Sequence, residues 1–160
     1  MTDVARFKEV LKGLGFEKLK EFKVTDHLFM PKGKDWDLSH QQMKVRVRED
    51  KTLLIYRVYE WVDKAKSDRM RMRKELKLDD ALNILEAWNF EKRFSFSRSG
   101  TRYKRGDIVV SLENIDHLGH LIEIEAPSLQ SLNGTIAELD SISDKIPESV
   151  PALIYNRMGE

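Results

Sequence analysis

The chain contains no cysteine, which excludes disulfide staples and thiolate-held metals and leaves the redox compartment open. No apolar run approaches the roughly 20 residues that a helix needs to cross a bilayer. The opening MTDVARFKEV lacks the apolar core of a signal peptide. Neither sign of charge dominates: 28 Lys and Arg stand against 27 Asp and Glu, for a net charge of +1. Bulk charge therefore argues for neither a nucleic acid nor a membrane as partner. Aromatic residues are only 9% of the chain and hardly interleave with its arginines, which speaks against a single-stranded nucleic-acid binder. Internal repeats, linkers and low-complexity tracts are also missing. What remains is the expectation of a cytoplasmic protein, folded as one domain over residues 1–160 around a single core.

Periodicity divides the chain into helices and strands. Val4, Phe7, Val10, Leu11 and Leu14 recur at helical spacing, so Asp3 to Leu14 reads as an amphipathic helix that stops at Gly13 and Gly15. Glu21 to Phe29 reads as a strand ending at Pro31, followed by a loop over residues 32–42. Met43–Glu49 and Leu53–Tyr59 form a hairpin across Asp50-Lys51. Arg69–Leu78 is a further strand. A second helix starts at Asp79 or Asp80 and carries Ala81, Leu82, Leu85 and Trp88 on its apolar face. Phe94–Arg98 is a strand before a turn around Gly100. Ile108–Leu112 and Leu121–Glu125 then make a second hairpin. A third helix runs through Leu129, Leu132, Ile136 and Leu139, and a last one follows Pro151 within Ile142 to Met158.

Alternation within the strands carries the functional signal. Side chains of a strand point to opposite faces in turn. Val45 and Val47 therefore share one face, and Lys44, Arg46 and Arg48 the other. Met70, Met72 and Leu76 oppose Arg69, Arg71, Arg73, Glu75 and Lys77, while Arg57 shares its face with Ile55 and Tyr59. Arginines turned unpaired into a dry core would cost several kcal/mol each. Two arrangements satisfy the pattern: a plain solvated face, or a curled sheet whose charges line a wet cavity that holds an anion. The planar fork of arginine suits phosphate oxygens. Glu123 and Glu125 also share a face of their strand, where each makes ionising its neighbour harder unless a cation intervenes.

Several short motifs, in order and spacing, resemble the CYTH superfamily of class IV adenylyl cyclases, thiamine triphosphatases and related triphosphate tunnel enzymes. VRVR at Val45–Arg48 resembles that family's paired arginine strand, and LIYR at Leu54–Arg57 its L-T-Y-K. Arg71 falls where the family opens its R-x-E strand, and LNILEAWNFE resembles the helix ending in L-G-F. Arg98 and Tyr103 match the ends of K-x-R-x-x-Y. SLENIDHLGHLIEIEA resembles L-D-x-V-x-x-L-G-x-F-x-E-I-E. The resemblance covers about Phe22 to Glu125. It implies an α+β fold, an antiparallel β-barrel forming a tunnel with helices packed outside. It further implies that Lys44, Arg46, Arg48, Arg57, Arg71, Arg73 and Arg98 bind a triphosphate. Glu113, Glu123, Glu125 and Glu75 would hold Mg²⁺ or Mn²⁺.

The departures bear on catalysis. The E-x-E-x-K strand that supplies metal ligands in the family has no counterpart before Phe16. Arg73 and Lys77 stand where acids are expected, and Gly100 where a second basic residue belongs. Mg²⁺ wants six oxygens near octahedral geometry, so the remaining acids support one ion bound weakly or with help from substrate phosphate. His117 and His120 lack a well-placed third zinc ligand, and Asp26-His27 has no serine elbow beside it. Two function classes follow. One is a divalent-metal-dependent triphosphate hydrolase or class IV adenylyl-cyclase-like enzyme. The other is a catalytically weakened relative that binds a nucleotide, polyphosphate or phosphorylated partner.

Overall fold

A computed structural model describes residues 4–62, 65–139, 151, 154 and 155. The expected final helix lies mostly outside these described residues. The fold is α+β, as the sequence led us to expect. Helix α1 (Val4–Gly13) precedes strands β1 (Glu17–Pro31), β2 (Gln41–Val47), β3 (Thr52–Val62) and β4 (Ala65–Glu75). Helix α2 (Leu78–Ala87) follows, then β5 (Phe90–Arg105), β6 (Ile108–Ile115), β7 (Gly119–Glu125) and α3 (Leu129–Leu139). The strands make one seven-stranded sheet in the order β4-β3-β2-β1-β5-β6-β7. Every described pairing is antiparallel.

The chain divides into two compact units. One holds residues 1–23 and 98–146, the other residues 24–97 and 147–160. In the first, Phe7 and Leu11 of α1 and Leu139 of α3 are buried against Val110 and Leu112 of β6, with Ile122 and Ile124 of β7 alongside. Full burial of side chains this size contributes about 1.5–3 kcal/mol each. In the second unit, Ala81 and Leu85 of α2 cover Phe29, Met43, Val45 and Leu54, with Val47 packed at the margin. Val45, Val47, Ile122 and Ile124 thus lie under helices, as their parity requires. Asp79 and Asp80 sit in the first turn of α2, where the helix dipole favours anions. Asn89 ends it with φ 66°, a left-handed residue of the kind that closes helices.

Several strands run longer than the sequence expectation, and two further differences bear on the architecture. The fourth strand ends at Glu75, three residues before the expected Leu78, which instead opens α2. The expected turn around Gly100 is absent, because β5 runs unbroken through it and turns only at Gly106, where φ is +60°. Glycine at position 100 answers a close approach rather than a bend. A Cβ placed there would lie 2.2 Å from the carbonyl oxygen of Leu112 on β6. Gly100→Ala should therefore push the two strands apart and cost about 1–3 kcal/mol, read as a lower urea midpoint. The same change at Gly134, whose added Cβ meets nothing within 4 Å, should cost no comparable amount.

Candidate functional site

In the second unit the register gathers the basic residues on one face. Arg46 pairs with Asp26 of β1 and with Leu53 of β3. Lys44 lies opposite Ile55, which in turn faces Arg73 of β4. Gln42 lies opposite Arg57, which faces Arg71. Lys44, Arg46, Arg57, Arg71 and Arg73 therefore share a face, interrupted by Leu53 and Ile55. Arg48 follows β2 with the same parity, and Glu75 sits opposite Leu53 on β4.

That face is dry at one side and wet at the other. Lys44 is only 3% exposed, and its ammonium lies 3.4 Å from the amide oxygen of Gln42, itself fully buried. Arg46 donates from Nε to Asp26 Oδ1 at 2.7 Å and from Nη2 to Oδ2 at 3.0 Å. Asp26 is fully buried, so this two-pronged pair compensates a carboxylate that would otherwise be intolerable there. In the sequence Asp26 drew notice only beside His27, as a triad candidate set aside. Its role becomes visible only once β1 and β2 are in register. Its neighbour His27 points to the opposite face, where Nδ1 lies 2.6 Å from Ser95 Oγ, so the adjacent Asp26 and His27 do not act together.

Toward β4 the face opens to solvent. Arg57 donates to Asp68 at 3.0 Å and lies 5.5 Å from the ring centre of Tyr59. Arg71 and Arg73 are exposed and have no ion-pair partner among the described residues. Like charges held this close repel, and an anion with several oxygens relieves that repulsion.

The first unit holds the acidic residues. Arg98 Nη2 donates to Glu113 Oε1 at 2.6 Å and to Glu123 Oε2 at 2.8 Å. Glu113 is 1% exposed, and its second oxygen is buried without a hydrogen-bond partner. Burial, then the nearby Glu123 carboxylate, push the Glu113 acid up to about 7, against the pull of Arg98. Glu125 is exposed and stands opposite Val109, two pairs along from Glu123 and Ser111. His117 occupies the β6–β7 turn with φ 70°, and His120 lies in β7.

Among the described residues, no three His, Cys, Asp or Glu side chains gather closely enough to hold a metal ion. The two acids that do meet share a guanidinium, and the orphaned Glu113 oxygen is suited to a proton. This donor set does not fit a cation that wants six oxygens. No helix among the described residues is long and apolar enough to cross a membrane.

No family model matches the chain, and no curated protein does. Solved structures match over nearly its whole length. PH1819 protein from Pyrococcus horikoshii OT3 has a TM-score of 0.75 at 13% identity, covering 98% of this chain and 96% of its own. An adenylate-cyclase candidate from Vibrio parahaemolyticus gives 0.74 at 17% identity, covering 97% and 93%. The adenylyl-cyclase candidate HpAC1 from Hippeastrum, described as having a dominant triphosphatase activity, gives 0.72 at 14% identity, covering 99% and 93%. These likenesses, all below 20% identity, show a shared fold.

The raised acid at Glu113 makes stability depend on pH. The folded state keeps a proton there that the unfolded chain releases near 4.5, so the stabilisation is complete below that value and is lost as pH rises through about 7. The melting temperature should fall between about pH 5 and 8, and Glu113→Gln should flatten that fall. An unchanged slope in the Gln variant would show that another group carries it.

Proposed function

We propose that the chain binds a triphosphate-bearing ligand, a nucleotide or an inorganic or organic triphosphate, on the face where Arg57, Arg71 and Arg73 meet. In this reading it is a binding relative of triphosphate-handling enzymes rather than a full catalyst. The observation that supports binding over catalysis is the Arg98 bridge: the two acids that come together share one guanidinium, at 2.6 and 2.8 Å. In this reading a protein cation stands in for the ion that these acids would otherwise hold. Support for the ligand class comes from the exposed arginines and from the fold shared with HpAC1, a protein described as a triphosphatase.

The ligand's phosphate oxygens would accept from the Arg71 and Arg73 forks, while Asp68 holds Arg57 in place beside them. Arg46 and Lys44 contribute less in this reading, because the first is committed to Asp26 and the second is buried. Of the rest of the basic set read from the sequence, Arg48 continues β2 with the same parity, and Arg98 is committed to Glu113 and Glu123 in the other unit. A second reading keeps hydrolysis or cyclisation with Mg²⁺ or Mn²⁺, and the adenylyl-cyclase candidates of the same fold favour it. It requires Glu113, Glu123 or Glu125 to leave their present partners or to share the ion with substrate oxygens.

Tripolyphosphate should raise the melting temperature at low salt by mass action. The rise should shrink in Arg71→Ala and Arg73→Ala and weaken as salt screens the face. No rise at millimolar ligand would overturn the binding reading. Release of phosphate or of a cyclic nucleotide from a panel of triphosphates with Mn²⁺ would establish the second reading instead.

A further inference from the structure

We propose that the free edge of β4 docks an acidic, extended peptide, which joins the sheet as an additional strand. β4 is the outermost strand of the sheet and, among the described residues, pairs only with β3. Its other side presents a row of backbone donors and acceptors, the template on which strand addition works. Almost the whole strand is exposed on both faces. Exposed edges are ordinarily blunted by shortness, cover, proline, bulges or charge. Among the described residues β4 is long, uncovered and free of proline, and it carries only a bulge near Arg69 and its charges.

The side chains specify what fits. Over Ala65–Glu75 the strand carries five cations, Lys66, Arg69, Arg71, Arg73 and Lys74, against two acids, Asp68 and Glu75. Asp68 is already taken by Arg57. A second copy of the chain is a poor partner, because antiparallel pairing centred on Arg71 sets Arg69 against Arg73, like charge on like. The same charges that keep copies apart admit a strand of opposite sign. On the other face, Met70 is 52% and Met72 38% exposed, on the side of the sheet that carries Tyr56 and α2. Methionine adapts to varied apolar contacts. The matching peptide therefore alternates Asp or Glu, turned toward Arg71 and Arg73, with apolar residues turned toward Met70 and Met72. Alternation of this kind is what a strand delivers and what a disordered polyanion does not.

The triphosphate reading rests on the arginine face alone, so the two separate cleanly. The probe is a fluorescein-labelled hexapeptide, Val-Glu-Val-Glu-Val-Glu, titrated into the full chain and followed by anisotropy and by hydrogen exchange. Binding should be accompanied by slower exchange of the amides of residues 69–75. The paired substitution Met70→Ser with Met72→Ser should weaken the peptide by about tenfold, or 1.4 kcal/mol, and leave the tripolyphosphate shift unchanged. Arg71→Ala with Arg73→Ala should weaken both ligands. Equal binding of a block peptide, Glu-Glu-Glu-Val-Val-Val, without β4 protection would reduce the edge to a charged surface and overturn the proposal. Tighter binding of a single-stranded oligonucleotide than of the peptide, or dimerisation of the chain alone through β4, would overturn it as well.

Discussion

A carboxylate shut away from water must be protonated or must have a cation within hydrogen-bond reach, and this chain meets that requirement twice with arginine. Asp26 has Arg46, and Glu113 has Arg98, which also reaches the more exposed Glu123. Removing one partner of such a pair leaves a buried charge that costs about 3–5 kcal/mol. The strands that carry these residues are therefore tied in register by electrostatics as well as by their ladders. The arrangement also decides which groups are spare. An arginine holding a buried acid cannot leave it for a ligand without exposing that cost, whereas Arg71 and Arg73, with no ion-pair partner among the described residues, have nothing to give up.

Two chemical personalities follow from one alternating pattern. On β2 the polar residues are sealed in, and the chain supplies its own counter-ions. On β4 the same parity places arginines in water. Burial, not residue type, separates a structural cation from one available to a ligand. The acids of β6 and β7 show the same rule from the other side. Once Arg98 stands between them, a divalent ion would have to displace a guanidinium already at hydrogen-bond distance.

Much of this was legible in the sequence. Period-two alternation assigned Val45, Val47, Ile122 and Ile124 to the faces under helices, and helical spacing located all three described helices. The order of short motifs identified the fold despite identities below 20% with solved neighbours. Harder to read was anything that depends on pairing between distant strands. Asp26 is one acid in a run of mixed residues until Arg46 is set opposite it. Burial of Lys44 depends on what covers the face, which its own strand does not encode. Gly100 looked like a turn because glycine most often marks a backbone that bends. Here it marks a backbone that another backbone nearly touches, a constraint written on β6.

That near-contact also belongs to a single register. A hairpin of alternating residues has several pairings of similar energy, offset by one or two positions, and a one-position slip turns every side chain to the wrong face. Between Arg98 and Arg102 only residue 100 lacks a Cβ, so only one alignment of β5 on β6 lets the strands close at Leu112. An alignment offset by one residue that kept this close approach would set the Cβ of Ser99 or Thr101 against that carbonyl. The same register brings Arg98 within reach of Glu113, so the close approach at residue 100 and the charge compensation of the first unit depend on one alignment.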